Sequence, residues 1–185
     1  RLRRLDPDAQ ITMIDRDALI SYGGCGIPYY ISGDVAELKG LYSTAAHAVR
    51  DVSFFECCKN IRVLTRTEAV AIDRRDRKLR IRRLDEEREE DLSDDTLVLG
   101  TGASSLRPPI PGIDLPGVTA VANLHQARAI KELIAGGTVE SAVVVGGGAI
   151  GLEIAEALAD LWEIDTTLVE MMDQLMKPAF GPDMA

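Results

Sequence analysis

The pattern of apolar and polar positions predicts short strands in the first half of the chain. Apolar and polar residues alternate over residues 67–73 and again over 78–83, on either side of a polar string, which predicts a β-hairpin. The charge run 82–91 that follows predicts a solvated turn. Three further runs, which are β-rich or apolar, predict single strands at residues 10–15, 61–64 and 97–103. The strand predicted at 97–103 would be buried and would run into a glycine turn.

The second half of the chain has a different pattern. Four prolines between residues 108 and 116 cannot continue a helix or a central strand, so they predict a rigid crossover and a domain boundary near Gly117. Beyond this boundary the pattern predicts a helix that is ended by two glycines. A strand, a helix and a second strand follow, and the four predicted elements are residues 123–135, 141–145, 152–161 and 165–169.

The most specific local signal is a glycine-rich loop between the predicted strand 141–145 and the helix after it. Gly146, Gly148 and Gly151 match the spacing G-x-G-x-x-G of dinucleotide-binding units. In such a unit Gly146 permits the tight turn, Gly148 lets a pyrophosphate approach the backbone, and Gly151 lets helix and strand pack closely. The phosphates would lie on the helix N-terminus. A glycine-rich turn with packing roles only is the alternative.

Two acidic residues stand at the ends of predicted strands. Glu170 would accept hydrogen bonds from both adenosine ribose hydroxyls and would repel a 2′-phosphate, so the sequence favours NADH, with NADPH as the alternative. Asp15 ends the first predicted strand, where an acid of a nucleotide-binding βαβ unit hydrogen-bonds a ribose. A solvated charge at a strand end accounts for Asp15 equally well.

Cys25 is the candidate for redox chemistry. It lies in a glycine-rich stretch that follows a short apolar run and opens a predicted helix, with Pro28 suited to the first turn. The sulfur would therefore lie beside the positive end of that helix, which favours a reactive thiol. A small buried hydrophobic residue in a turn is the alternative for an isolated cysteine.

Composition and charge exclude several classes of function. The 185 residues are 46% hydrophobic, which is ample for packed cores, and carry a formal net charge of −9. An acidic chain is a poor partner for nucleic acid or for an anionic membrane surface. No segment is long and apolar enough to span a bilayer, and no signal peptide opens the chain, so we expect a soluble cytoplasmic protein.

The cysteines and histidines of the sequence predict neither a disulfide framework nor a metal site. Cys57 and Cys58 are adjacent and, with Cys25, do not form an evenly spaced disulfide set. His47 and His125 are isolated, so we expect no structural metal. We expect Cys57 and Cys58 on the side of a helix near the surface, without a role in the chemistry.

Three features stand in one order along the chain: an acid-ended strand followed by Cys25, a Thr-Gly-Ala turn at 101–103 before the prolines, and the complete glycine fingerprint. Together they resemble the FAD-dependent pyridine nucleotide-disulfide oxidoreductases. The resemblance is greatest to the single-cysteine branch, which includes coenzyme A disulfide reductases, persulfide and polysulfide reductases, NADH oxidases and NADH peroxidases. It covers nearly the whole chain and is strongest over 21–30, 97–117 and 143–153.

The resemblance implies a set of cofactor-binding residues. Asp15 would bind the FAD ribose, although glutamate is more usual there, and Ser21 and Cys25 would line the flavin. Ala69 and Val70 would meet the adenine through backbone groups. The turn of Thr101, Gly102 and Ala103 would close over the FAD. Near the nicotinamide would lie Ile150 and Glu153.

The resemblance also implies the fold class. We expect an α/β chain with two Rossmann-like three-layer nucleotide-binding domains, FAD then NAD(P), each incomplete. Residues 1–117 would form the FAD portion, without its first strand and glycine loop, and 118–185 the first half of the NAD(P)H portion. From the resemblance we also expect the returning FAD segment and the C-terminal dimerisation domain to lie outside these 185 residues, and the full-length protein to be a homodimer.

The implied activity is reduction of a disulfide, persulfide or polysulfide, with coenzyme A-linked substrates included, by NADH through FAD and a single redox cysteine. With one thiol near the flavin, the substrate must supply the second sulfur or an oxygen. The alternative inside the family is an NADH oxidase or peroxidase that works through a Cys25 sulfenate. The alternative outside it is a non-catalytic nucleotide-binding or redox-sensing module.

Overall fold

The computed structural model describes residues 2–177 and 179–184. It divides into two compact units, one made of the residues up to Tyr22 together with Tyr42–Gly102, and one made of Gly23–Leu41 together with the residues from Ala103 on. The described elements are helices and strands in mixed order, so the α/β class is confirmed. The predicted domain division at Gly117 stays a prediction.

The first unit contains two sheets. Strands β1, Thr12–Ile14, and β2, Arg62–Leu64, pair in parallel with Met13 opposite Val63, and helix α3, Val52–Lys59, lies between them in the sequence. Parallel strands need such a crossover connection. Strands β3, Thr67–Asp73, β4, Lys78–Arg83, and β5, Arg88–Ser93, form an antiparallel meander. A short helix α1, Leu2–Leu5, precedes these elements. The antiparallel pairing of β3 with β4 confirms the predicted hairpin.

The core of this unit lies under one face of the meander. Leu64, Leu79 and Ile81 are buried together, and half-buried apolar side chains pack against them. In β4 the buried residues alternate with exposed basic ones, so one face of the strand is apolar and the other charged. The alternation over residues 78–83 therefore corresponds to real burial, whereas in β3 only Thr67 is buried.

The charge run was predicted as a solvated turn, and this prediction was wrong for its second half. Residues 88–93 form β5 because each outward-facing acid lies beside a basic residue of β4. Asp91 accepts a hydrogen bond from the guanidinium of Arg80 at 3.0 Å, and Glu89 accepts one from Arg82 at 2.8 Å. Opposite charges that face each other across antiparallel strands stabilise the pairing.

The prediction of a buried strand at 97–103 was also wrong. The structure assigns no strand to these residues, and Val98 and Leu99 are 71% and 67% exposed. Only Leu97 packs against the core. An apolar run forms a strand only where a neighbour accepts its backbone hydrogen bonds, and among the described residues no strand pairs with this one.

The described part of the second unit contains a parallel strand pair and three α-helices. Strands β6, Ser141–Val145, and β7, Asp165–Val169, pair in parallel with Val143 opposite Thr167. Helix α5, Ala149–Glu156, and a π-helical segment, Ala157–Leu161, connect them. Helix α2, Ile27–Ser32, and helix α4, Leu124–Ala135, pack in the same unit. The predicted strand, helix and strand are confirmed, although α5 begins before residue 152 and ends in the π segment.

Helix α4 begins where the sequence places a capping residue. The side chain of Asn123 accepts a hydrogen bond from the N–H of Gln126 at 3.0 Å, and the helix ends before Gly136 and Gly137. An N-cap asparagine satisfies one of the N–H groups that the first turn leaves unpaired. The helix predicted over 123–135 is confirmed.

Candidate functional site

The glycine fingerprint forms a tight loop between β6 and α5. Gly146 has φ of +111°, a conformation that side chains rarely adopt, as its predicted role in a tight turn requires. A Cβ at Gly151 would lie 1.8 Å from the carbonyl oxygen of Gly146, so only glycine allows the helix to approach the loop this closely. Loop and helix therefore depend on each other through these two glycines.

Gly148 occupies open space at the start of α5. Nothing lies within 4 Å of where its Cβ would be, and it is the N-cap of the helix without any side-chain cap. The first N–H groups of a helix have no partner inside the helix, and together with the helix dipole they attract an anion. This part of the loop is therefore compatible with a dinucleotide pyrophosphate. Ile150 and Glu153, predicted near the nicotinamide, lie exposed on the first turns of α5.

Gly147, the central glycine, has a role that the spacing did not assign. It is buried, and a Cβ there would lie 2.5 Å from a methyl group of Leu175 and 3.1 Å from Oε2 of Glu170. Its N–H donates to Glu170, and its carbonyl oxygen accepts the N–H of Met176 at 3.0 Å. Three consecutive glycines in the sequence were the available signal for this crowding.

Glu170 lies at the end of β7, as predicted, and its carboxylate contacts the fingerprint loop. It accepts the N–H of Gly147 at 2.6 Å and the N–H of Met172 at 2.8 Å. These hydrogen bonds favour the charged form of Glu170 and so lower its pKa, and the bond from Met172 has the largest effect. Each carboxylate oxygen has a second lone pair, so the group can still accept from ribose hydroxyls.

Cys25 lies in a short 3-10 turn, Gly24–Gly26, immediately before α2. It is an exposed free thiol, and Pro28 lies in the first turn of the helix as predicted. The Gly23 N–H donates to the carbonyl of Leu41 at 2.8 Å, and a Cβ at Gly26 would meet the side chain of Leu41. The turn thus has a fixed backbone and presents its thiol to the surroundings. It belongs to the same compact unit as the fingerprint loop.

The candidate ribose-binding acid lies in the first unit. Asp15 follows β1. Its backbone N–H donates to the carbonyl oxygen of Leu64 at 2.9 Å, and its carbonyl oxygen accepts the N–H of Thr67 at 2.9 Å. Its side chain accepts the N–H of Asp17 at 2.8 Å. One carboxylate oxygen therefore orders the turn after the strand, while the other is available for a ligand hydroxyl.

Tyr22 was not singled out from the sequence, although it follows the candidate residue Ser21. Both side chains are half-buried. Burial raises the pKa of Tyr22, and the nearby charges of Asp17 and Asp15 raise it further. The phenol therefore stays a hydrogen-bond donor across the physiological pH range.

The predicted adenine contacts lie at a β-bulge. Ala69 pairs with Ile81 and Ala71 pairs with Arg80, so Val70 is an extra residue in β3 without a partner in β4. A bulge leaves the backbone of the extra residue outside the ladder, and bulges occur often beside active sites. The backbone of Val70 is thus available for a ligand, as the proposed contact through backbone groups requires.

The Thr101, Gly102 and Ala103 turn lies in an irregular, exposed segment. Gly102 has φ of +70°, which favours glycine at this position. The two compact units meet in sequence here, since the first ends at Gly102 and the second resumes at Ala103.

The described residues hold no group of three or more His, Cys, Asp or Glu side chains placed to bind a metal ion. None of the described helices has both the length and the apolar character needed to cross a membrane. Cys57 and Cys58 lie exposed on α3, on the helix surface that the sequence predicted.

Strand, glycine loop, helix and acid-ended strand together define a Rossmann-like α/β protein. The model of the pyridine nucleotide-disulphide oxidoreductase family matches residues 1–185. The chain therefore belongs to this family.

The chain is similar to enzymes with two kinds of name. It is 35% identical over 185 residues to an NADH oxidase of Methanocaldococcus jannaschii and 30% identical over 179 residues to a coenzyme A disulfide reductase of Staphylococcus haemolyticus. Those alignments cover 100% and 96% of this chain. They cover only 39% and 38% of the two relatives, so the chain spans about two fifths of their length.

A solved structure agrees with these relatives. The NAD-dependent persulfide reductase from A. fulgidus superposes with a TM-score of 0.94 and 41% sequence identity. The superposition covers 100% of this chain and 33% of that one. Similarity at this level confirms the Rossmann-like fold of the described part of the chain.

Proposed function

We propose that the full-length protein is a flavin-dependent NADH oxidoreductase that reduces a disulfide, persulfide or polysulfide. The observation that carries the proposal is the exposed thiol of Cys25, held in a glycine turn of the same compact unit as the fingerprint loop. Two of the relatives carry names that include reduction of coenzyme A disulfide or of persulfide. Coenzyme A-linked sulfur compounds are therefore included among the proposed substrates.

The residues proposed to hold the cofactors lie in both units. Gly146, Gly148, Gly151 and Glu170 would bind NADH, with Ile150 and Glu153 near its nicotinamide. Asp15, Ser21, the bulge at Ala69 and Val70, and the turn of Thr101, Gly102 and Ala103 would bind FAD. FAD, when bound, supplies a two-electron acceptor and donor between the nicotinamide and sulfur.

The proposed role of Cys25 is nucleophilic. Its thiolate attacks one sulfur of the substrate, an enzyme–substrate disulfide forms, and the first thiol leaves. The two electrons that NADH brings then break the mixed disulfide, which releases the second thiol and restores Cys25. Overall, NADH, one proton and one disulfide give NAD⁺ and two thiols.

The domain division and the assembly belong to the same proposal. Residues 1–117 would be the FAD portion and 118–185 the first half of the NAD(P)H portion, within a homodimeric full-length protein. NADH is the proposed reductant because Glu170 offers a carboxylate where NADPH would carry its 2′-phosphate.

Replacement of Cys25 by serine in the full-length protein tests the proposal. NADH-dependent reduction of coenzyme A disulfide and of polysulfide should be lost, while bound flavin and NADH-dependent reduction of ferricyanide, which needs no thiol, should remain. The matched controls are Cys57→Ser and Cys58→Ser, two other exposed thiols, which should keep full disulfide turnover. Retained disulfide turnover in the Cys25→Ser protein would refute the assignment.

A second candidate is reduction of oxygen or peroxide, favoured by the 35% identical relative named NADH oxidase. It uses the same Cys25, now cycling through a sulfenic acid. NADH turnover with oxygen, peroxide, coenzyme A disulfide and polysulfide, compared on one preparation, separates the two candidates. A protein without bound flavin, and without the long-wavelength thiolate-to-flavin band on reduction, would point to a non-catalytic module.

A further inference from the structure

Helix α2, which follows the Cys25 turn, is too short to be stable by itself. It has six residues, Ile27–Ser32, whereas isolated helices in water need about 12 to 15. Four of the six residues are buried. The position of the Cys25 turn therefore depends on the residues of the same unit that hold α2.

Trp162 holds the C-terminal end of α2. Its indole N–H donates to the carbonyl oxygen of Ile31 at 2.8 Å, although the two residues are 131 positions apart. The carbonyl groups of a last helical turn have no acceptor role inside the helix, so this oxygen would otherwise need another donor. The indole is an N–H donor without acceptor capacity, and it fits this position.

Lys131 of α4 holds the segment after α2. Its ammonium group donates to the carbonyl oxygens of Val35 and Ala36 at 3.2 and 3.4 Å, and lies 4.2 Å from the centre of the buried Tyr30 ring. Lys131 is half-buried, and this burial lowers the pKa of its ammonium group. A cation over an aromatic face is attracted by the ring.

Trp162 is connected to the fingerprint loop by a continuous helical run. Helix α5 has Gly148 as its N-cap, continues into the π segment Ala157–Leu161, and is followed directly by Trp162. A π turn adds one residue and so changes the direction of every later side chain by about 100°. The π segment thus helps to aim the indole at α2, and π turns occur often at functional sites.

We propose that Trp162 and Lys131, together called the α2 anchor, are positioning residues that fix the Cys25 turn relative to the fingerprint loop. The proposal rests on the proposed function for its catalytic consequence only. A thiol displaced by about 1 Å from its acceptor can lose a large factor in rate without any loss of nucleotide binding. The anchor is therefore expected to affect the sulfur step and to spare the nicotinamide step.

Two variants of the full-length protein remove one contact each. Trp162→Phe keeps an aromatic ring but removes the N–H donor, and Lys131→Met keeps the apolar stem but removes the ammonium. Leu161→Ala is the control for the first, since Leu161 is the exposed neighbour of Trp162 in sequence. Arg128→Met is the control for the second, since Arg128 lies exposed on α4 and bonds Glu132 of the same helix.

The catalytic readout compares two acceptors. For each anchor variant, kcat with coenzyme A disulfide should fall about tenfold, while kcat with ferricyanide and the KM for NADH stay within about twofold of the unmodified protein. Both controls should keep both activities. A parallel loss with the two acceptors would show general damage to the fold and would overturn the positioning role.

Amide hydrogen exchange gives a readout that is independent of any reductase activity. Exchange in residues 27–36 should be about fivefold faster in Trp162→Phe than in Leu161→Ala, the factor that one net hydrogen bond contributes to a local equilibrium. Unchanged exchange would overturn the anchor. Faster exchange in a protein that reduces no disulfide even when unmodified would refute the proposed function and support the anchor.

Discussion

Glu170 and Gly147 are joined by a 2.6 Å hydrogen bond from the backbone N–H of the glycine to Oε2 of the glutamate. Because Oε1 also accepts the N–H of Met172, the carboxylate ties the end of β7 to the middle of the fingerprint loop. The residue proposed to select NADH is therefore already oriented by the protein backbone. This arrangement makes the geometry of the loop sensitive to the charge of a single group.

The first prediction is that Glu170→Gln weakens the structure at neutral pH but not in acid. The folded-state pKa of Glu170 is lowered by its backbone hydrogen bonds, whereas an unfolded glutamate titrates near pH 4.3. A depressed pKa contributes stability that is present above the unfolded pKa and is lost as the pH falls through the folded pKa. Thermal midpoints should therefore differ at pH 7, and the difference should shrink as the pH falls from about 4.3 through the lowered folded-state pKa of Glu170. A gap that stays constant with pH contradicts the prediction.

The second prediction separates two glycines of the same loop. Gly151→Ala brings a Cβ to 1.8 Å from the Gly146 carbonyl oxygen, and it should destabilise the fold by about 1 to 3 kcal/mol or more, as overpacking does. Gly148→Ser has open space and supplies an N-cap hydroxyl, so the thermal midpoint should be kept. The same hydroxyl should weaken NADH binding, because it occupies the space proposed for the pyrophosphate.

Calorimetry and NADH titration of both variants check this pair. The expected result is reduced stability for Gly151→Ala and reduced affinity at unchanged stability for Gly148→Ser. If Gly148→Ser binds NADH as tightly as the unmodified protein, the phosphate does not lie at this N-terminus. If Gly151→Ala is as stable as the unmodified protein, the close approach of α5 to the loop does not require glycine at this position.

Local elements could be predicted from the sequence where the signal is local. The hairpin was found because burial alternates in β4, and the fingerprint loop because glycine spacing reflects backbone geometry. Strand β5 was missed because its charges become favourable only when Arg80 and Arg82 lie beside them. The contact of Trp162 with Ile31 joins residues 131 positions apart, and no short-range pattern encodes such a pair.

The third prediction concerns the core of the first unit. Ile81 is fully buried among Leu64 and Leu79, so Ile81→Ala removes three carbons from a packed site and should cost about 2 to 5 kcal/mol. Ile72→Ala is the matched control, since Ile72 lies 48% exposed on the neighbouring strand. It should cost well under half as much. Urea unfolding of both variants measures the difference, and equal losses would mean that the meander has no distinct buried face.

The fourth prediction concerns the charge pair that makes β5 a strand. Arg80 and Asp91 are directly opposite in the register and are joined by a 3.0 Å hydrogen bond, which lowers the pKa of Asp91. Asp91→Lys places like charges opposite each other and should destabilise the meander. The double variant Arg80→Asp with Asp91→Arg restores opposite charges and should recover most of the loss.

Salt distinguishes this electrostatic account from a packing effect. At 1 M salt the screening length is about 3 Å, so the difference between Asp91→Lys and the unmodified protein should shrink. Amide exchange over residues 78–93, measured at low and at high salt, reports the local stability of β4 and β5. Because both side chains are exposed, their apolar contacts change little on substitution, and the double variant tests the charges alone. A double variant as unstable as Asp91→Lys at low salt would show that packing or strand propensity, and not opposite charge, makes residues 88–93 a strand.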